Sequence, residues 1–198
     1  MASKQEWLWY RGKSLHWLVG RKIVQSWPAT SGHDSTLSDD GKDYQVPSQQ
    51  CVSFEGPIPE GTYRLESFIV SKKMSYGVVG GACNLYRGPG GIQEVTTKTK
   101  GTDPGGSCIE LWGPNRVRLV AHDQVAQKAC SGSRSGFYIH DSSKGGSSGC
   151  IEVGSGFFQQ LRTWTKTNNP KNRKKISSPM LLVVKYYDKT TRGKTLKP

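Results

Sequence analysis

Two side chains in the last third of the sequence have the chemistry of covalent acyl transfer. His140 ends an apolar segment, and Cys150 follows a loop that contains Gly-Gly-Ser-Ser-Gly over residues 145–149. Such a loop can fold back tightly and place the cysteine beside the histidine. A cysteine attacks a carbonyl carbon as a thiolate, and a neighbouring imidazole lowers the thiol pKa enough to supply one at neutral pH. We therefore predict that Cys150 is a nucleophile and that His140 is its base.

The residues next to Cys150 favour stabilisation of a negatively charged oxygen. Gly149 removes one side chain beside the nucleophile, so that backbone N–H groups can approach a developing oxyanion. A helix is predicted at 156–165, where large apolar residues recur at helical spacing, and its positive end would add to this effect. Four neighbours are candidates for orienting His140 or contacting a substrate: Tyr138, Asp141, Ser147 and Ser148. The alternative is that His140 caps a strand and that Cys150 is a core residue.

Metal chemistry has less support. Three His-Asp pairs occur, at 33–34, 122–123 and 140–141, and a zinc hydrolase could draw on such a set. No HxH or HExxH pattern accompanies them, so we predict no metal and no other cofactor. His33 and His122 are interpreted as polar surface groups or as neighbours of the site.

The segments that must position these residues are typical of β-strands. The 24 glycines and 10 prolines are spread over most of the chain, which argues against long helices and for short strands joined by turns. Strands are predicted at 6–10, 14–19, 22–27, 62–70, 108–112, 116–120, 137–140, 150–153 and 181–187, with 108–112 and 116–120 as a hairpin. We expect one mainly β domain over 1–198, with a single helix after Cys150.

Two stretches stand apart from the expected core at about 7–165. Residues 74–107 are Gly-rich and polar, and we expect a long, partly mobile insertion there. Residues 166–198 contain ten Lys and Arg against one acid, Asp188, and include the terminal strand. The net charge of the whole chain is +13, which predicts an anionic partner such as nucleic acid, a membrane surface or a wall polymer.

Membrane insertion and Sec export are not expected. No apolar run approaches the ~20 residues of a membrane-spanning helix. The first twenty residues lack the apolar core and the small-residue cleavage site of a Sec signal peptide. The five cysteines include no CxxC pair, and their odd number leaves at least one thiol unpaired in an oxidising compartment. Spacing alone does not fix how Cys51, Cys83, Cys108 and Cys130 would pair.

The cysteine motif resembles that of a known family. His140 with Ser-Ser-Gly-Cys-Ile at 147–151 is similar to the His…Ser-x-Gly-Cys-[Ile/Val] signature of the L,D-transpeptidase (YkuD-like) catalytic domain. Residues 27–32 resemble the family's strand that ends in Ser-Gly, and residues 56–63 resemble its Pro-x-Gly-x-[Tyr/Phe] turn. Residues 112–120 resemble the strand pair before the active site. The short spacing is most similar to compact L,D-transpeptidase-related toxins exported by the type VI secretion system.

The resemblance implies a β-sandwich-like fold and cysteine acyl transfer on peptidoglycan stem peptides. The attacked carbonyl would be that of the L-centre of meso-diaminopimelate, and a tetrapeptide could be cut, joined to a second stem or exchanged with a D-amino acid. An antibacterial toxin made in the cytoplasm and acting in a target periplasm is the expected role. Secretion machinery and a cognate immunity protein would be its partners, without nucleic acid.

One departure and two alternatives accompany this interpretation. Many family members have Arg or Asn after the Cys-[Ile/Val] pair, where this chain has Glu152, so the role of that position is open. A basic nucleic-acid-cleaving toxin would use His140 as general acid–base and the basic segment on phosphates, and it would not need Cys150. A non-catalytic wall-binding module with a degenerate site is the other alternative.

Overall fold

Nine short strands and two helices in the described part of the chain surround one apolar interior. The computed structural model describes residues 5–70, 90–95, 108–122, 130, 134–142, 144–176 and 178–194. The strands are β1 (Glu6–Tyr10), β2 (Ser14–Val19), β3 (Lys22–Gly32), β4 (Gly61–Leu65), β5 (Ile92–Glu94), β6 (Asn115–Ala121), β7 (Tyr138–His140), β8 (Ser147–Val153) and β9 (Leu181–Val184). The helices are α1 (Cys108–Trp112) and α2 (Phe157–Asn168), with a 3-10 turn at Pro47–Gln49.

The strands form one sheet that closes on itself. Their order is β4-β9-β1-β2-β3-β8-β7-β6-β5, and β4 also pairs with β6. Eight strands therefore make a ring, and β5 lies outside it on the free part of β6. Most neighbours are antiparallel, but β9 is parallel to β1 and β8 is parallel to β7. Closure removes the exposed edges that an open sheet would present.

Alternation along the strands decides which side chains fill the interior. Leu8 and Tyr10, two residues apart in β1, are fully buried. The apolar face of α2 belongs to the same cluster. Trp17 of β2 connects the two, because its ring packs edge-on against Trp27 of β3 and Trp164 of α2, with centroids 6.4 Å apart in both pairs. Each large apolar side chain buried in this way stabilises the fold by about 1.5–3 kcal/mol.

The mainly β architecture and the helix after Cys150 are confirmed, with α2 continuing to Asn168. The predicted first arm of a hairpin at 108–112 is wrong, because these residues form α1. The Gly113 amide donates to the Ile109 carbonyl at 2.7 Å, which is a helical bond. Gly113 then has φ +68 and lies so close to Asp141 that a side chain would collide with it. The Gly113 turn therefore ends a helix instead of joining two strands.

The predicted insertion at 74–107 lies mostly outside the described residues. Within it, residues 92–94 form β5, which was not predicted because three residues are too few to show alternation. Chain segment 166–198 contributes an internal strand, since β9 lies between β1 and β4. Beyond β9, the hydroxyl of Thr30 and the backbone of Gly193 exchange two hydrogen bonds of 3.0 Å, which fasten the segment to β3.

A disulfide joins Cys51 and Cys130, whose Cα atoms are 5.0 Å apart. Cys150 is the free cysteine among the described side chains, and it is buried. Cys83 and the side chain of Cys108 lie outside the described part of the chain. The disulfide closes a long loop, because its two cysteines are 79 residues apart in the sequence. Such a bond persists in an oxidising compartment.

The disulfide should contribute measurably to stability. Cross-linking so long a loop restricts the unfolded chain, and we expect the Cys51→Ser/Cys130→Ser variant to lose ~2–4 kcal/mol of unfolding free energy. Urea unfolding of the variant and of the oxidised wild type measures this difference. Peptide mapping of the oxidised wild type should find a free thiol at Cys150 and none at Cys51 or Cys130. Free thiols at both of these positions would refute the pairing.

Candidate active site

The two candidate reactive residues meet because the chain turns back on itself between β7 and β8. These strands are parallel, with Ile139 beside Ile151 and His140 beside Glu152. Parallel neighbours need a connection that returns the chain to its starting end, and the Gly-rich segment after His140 supplies it. Ile139 and Ile151 face the apolar interior. His140 and Cys150 face the opposite side and line one cavity of about 330 Å³.

His140 is held from both ring nitrogens. Its side chain is only 3% exposed. Nδ1 lies 3.0 Å from the hydroxyl of Ser142, and Nε2 lies 3.1 Å from the hydroxyl of Ser147. The ring of Trp112 packs edge-on at 5.5 Å between centroids. These three contacts leave the imidazole one orientation, with Nε2 towards Ser147 and the cavity.

A row of polar residues crosses the sheet at the level of His140. Strand pairing places Arg116 on one side of His140 and Glu152 on the other, and neither Arg116 nor Glu152 is exposed. The Arg116 guanidinium lies 4.7 Å from the Trp112 ring centroid and 4.6 Å from that of Tyr138. Aromatic rings this close to a guanidinium favour its positive charge through cation–π attraction.

Burial keeps the reactive pair uncharged in the resting protein. Burial and, to a smaller extent, the nearby Arg116 charge lower the pKa of His140 from 6.5 to about 3, against the opposing effect of a backbone hydrogen bond with Trp112. Burial also raises the pKa of the Cys150 thiol, although the Tyr138 amide and the Ser147 hydroxyl oppose that effect. The sequence interpretation expected the imidazole to lower the thiol pKa. In the folded protein desolvation dominates, because separated charges are costly away from water.

Gly149 turns the chain immediately before Cys150. Its φ is +85, and a side chain there would meet the Arg134 guanidinium at 2.3 Å and the ring of Phe137 at 3.0 Å. Arg134 itself donates to the carbonyl oxygens of Pro57 and Gly56, at 2.7 and 3.0 Å. The absence of a side chain at Gly149 therefore allows a cation to pack behind the nucleophile.

A second imidazole lines the cavity opposite His140. His33 Nδ1 lies 2.9 Å from the Glu55 carboxylate, and its Nε2 lies 3.1 Å from the hydroxyl of Ser148. Ser148 is thus tied to the end of β3. Lys144 also lines the cavity and is exposed, so that the open side of the cavity has basic groups.

The remaining predicted residues are distributed as follows. Ser147 contacts His140, whereas the Asp141 carboxylate accepts two 2.7 Å hydrogen bonds from the backbone and side chain of Asn115, at the start of β6. Tyr138 contributes a backbone amide to Cys150 and a ring to Arg116. Among the described residues, no group of three or more His, Cys, Asp or Glu side chains is arranged to hold a metal ion. No helix in the described part of the chain is long and apolar enough to cross a membrane.

Sequence reasoning missed the partners of His140. Ser142 and Arg116 were not singled out, and the role of Glu152 was left open. The available signal was the two-residue offset between Cys150 and Glu152, because residues two apart in a strand share one face. That offset places a carboxylate on the reactive face of the sheet.

His140 should make folding stability depend on pH. Its folded-state pKa of about 3 lies below the unfolded value of 6.5, so the unfolded chain binds more protons in acid. The unfolding free energy is therefore greatest above pH 6.5 and falls as the pH drops through this window. Between about pH 7.5 and about pH 4.5 we expect a loss of ~2–3 kcal/mol from this residue. Urea unfolding of wild type and His140→Gln should show a smaller loss in the variant, and equal losses would contradict the assignment.

Comparison with known proteins identifies the family. The model of the L,D-transpeptidase catalytic domain, YkuD, matches residues 7–172. Among solved structures, the Bd1075 protein of Bdellovibrio bacteriovorus is similar at 13% identity with a TM-score of 0.46, over 92% of this chain and 48% of that one. This chain thus spans about half of that protein's length. A search among curated proteins found no match. Since the family model covers most of the chain, the protein belongs to the YkuD family of L,D-transpeptidase catalytic domains.

Proposed function

We propose that the protein is a cysteine acyltransferase that acts on peptidoglycan stem peptides. The observation that carries the proposal is one cavity lined by both a free cysteine, Cys150, and a buried imidazole, His140, in a domain of this family. A volume of about 330 Å³ suits a segment of peptide. Lys144 and His33 give the open side of the cavity basic groups that suit a substrate bearing carboxylates.

The first half-reaction transfers the acyl group to the enzyme. The substrate carbonyl is that of the L-centre of meso-diaminopimelate. The thiol of Cys150 loses its proton as sulfur bonds to this carbon, and His140 Nε2 is the base that receives the proton. Collapse of the tetrahedral intermediate breaks the bond to the terminal D-amino acid, whose amine takes the proton from the imidazolium. A thioester and a free D-amino acid result.

The second half-reaction returns the enzyme to its resting form. Water or an amine attacks the thioester, His140 removes its proton, and the thiolate of Cys150 leaves and is reprotonated. Water gives L,D-carboxypeptidase activity, a second stem gives a cross-link, and a free D-amino acid gives exchange. The cavity is open to solvent on the side of Lys144, which favours attack by water and small amines.

Burial of His140 counts against the nuclease alternative. A general acid–base for RNA cleavage must reach the ribose and the phosphodiester directly. The imidazole of His140 is only 3% exposed, which suits contact with a small neighbouring group more than contact with a nucleic-acid backbone.

Substitution of the reactive pair should abolish turnover without unfolding the protein. We expect Cys150→Ala and Cys150→Ser to be inactive on tetrapeptide muropeptides, because a serine hydroxyl is much less acidic than a thiol. His140→Ala should lose ~10²–10⁴-fold in kcat, which is the usual worth of positioned proton transfer. The double variant should be little worse than Cys150→Ala, since the two residues act as one unit. Mass spectrometry of muropeptide products measures the turnover.

The same preparations should be incubated with RNA and DNA. His122→Ala, at an exposed histidine, is the matched control and should retain wild-type turnover. A folded Cys150→Ala variant that trims tetrapeptides at the wild-type rate would overturn the mechanism. Nucleic-acid cleavage that survives Cys150→Ala and fails in His140→Ala would support the nuclease instead.

We further propose that the protein is an antibacterial toxin delivered to the periplasm of a target cell. The Cys51–Cys130 disulfide supports an oxidising destination, and the proposed substrate lies there as well. Dedicated secretion machinery would export it, and its producer would need an immunity protein that blocks the cavity.

Delivery to the periplasm should decide toxicity. Expression with an added Sec signal should deform or lyse a bacterial host, whereas expression in the cytoplasm should be tolerated. Cell shape and viability measure the effect, and Cys150→Ala with the same signal is the control. Equal toxicity from the cytoplasm would contradict the periplasmic target.

A further inference from the structure

Glu152 is a buried carboxylate that accepts hydrogen bonds from the turn after His140. One oxygen accepts hydrogen bonds from the Ser142 hydroxyl at 2.7 Å and from the backbone amide of Lys144 at 3.1 Å. The other accepts from the backbone amide of Gly145 at 3.0 Å. Donors of this kind replace water around a charged carboxylate. Glu152 therefore organises the turn that follows His140.

Counting protons on Ser142 fixes the tautomer of His140. A hydroxyl has one proton, and that of Ser142 is donated to Glu152. Towards Nδ1 of His140, 3.0 Å away, the same hydroxyl can only accept, so that Nδ1 must have the hydrogen. A neutral imidazole has one N–H, and Nε2 is therefore the basic nitrogen. The Ser147 hydroxyl lies 3.1 Å from it on the cavity side.

We propose that Glu152, acting through Ser142, is a positioning residue that holds His140 in the Nδ1-protonated tautomer, with Nε2 directed at the thiol side of the cavity. This inference rests on the proposed function of Cys150 and His140. The carboxylate also faces the positive charge that His140 gains when it accepts the thiol proton, and it offsets the opposing charge of Arg116 on the other side of the ring.

The reactivity of Cys150 towards iodoacetamide tests the positioning role without any peptidoglycan. Alkylation is followed by mass spectrometry of the peptide that contains Cys150. We expect Ser142→Ala and Glu152→Gln each to slow alkylation about tenfold or more, and their combination to be little slower than either alone. Ser142→Thr should restore the rate, and Thr163→Ala, on the exposed face of α2, is the matched control.

The direction of the change in alkylation rate distinguishes a positioning role of Glu152 from a simple effect of its charge. Removing a negative charge near a thiol favours the thiolate, so a purely electrostatic role for Glu152 predicts faster alkylation in Glu152→Gln. Ser142→Ala leaves the carboxylate and its bonds to Lys144 and Gly145 in place. A wild-type rate in Ser142→Ala would therefore overturn the proposal, even if Glu152→Gln fails to fold.

Two further measurements complete the test. Nitrogen-15 NMR of the His140 ring should show hydrogen on Nδ1 in the wild type and a mixture of tautomers in Ser142→Ala; an unchanged tautomer would overturn the proposal. With muropeptides, Ser142→Ala should lower kcat and leave KM nearly unchanged. If the alkylation and NMR results are as expected while no muropeptide is consumed, the positioning role stands and the proposed substrate is wrong.

Discussion

Charged groups can be buried in a β-sheet only when the chain around them supplies partners, and this requirement shapes the site. Glu152 is fully buried, and the turn at residues 144–145 presents two backbone amides to it. Arg116, equally buried, lies against two aromatic rings and donates to Gln93 at 2.7 Å. A buried charge without partners costs several kcal/mol of folding free energy. The loop after β7 and the end of α1 must therefore adopt conformations that supply partners to Glu152 and Arg116.

His140 lies between these two charges, and its chemistry follows from that position. Both reactive side chains are buried, so the imidazole is neutral and the neighbouring thiol is protonated at rest. A resting ion pair of the kind found in many cysteine enzymes would require charges that this environment disfavours. In the proposed mechanism the proton therefore moves when substrate is attacked, and the flanking carboxylate faces the imidazolium that forms.

The other wall of the site is held by a different set of contacts. Arg134 packs behind Gly149 and donates to carbonyl oxygens of the loop at 50–57. The Cys51–Cys130 disulfide joins that loop to the segment that precedes Arg134. A covalent bond far from the reacting atoms thus supports the turn before the nucleophile, which connects the redox state of the protein to the geometry of its site.

The sequence by itself determined the β character and the helix after Cys150, because alternation and helical period are local properties, and its Gly-rich loop predicted that Cys150 and His140 belong to one site. Only the tertiary structure decided what Glu152 does, since Ser142 and the amides at 144–145 reach it after the chain has reversed direction. It likewise decided that β9 lies between β1 and β4. The end of α1 at Gly113 also depends on close contact with Asp141, far along the chain. Contacts between residues distant in sequence produce no periodic pattern in the sequence. The free energy of burying charged groups favours such contacts only when the chain has folded.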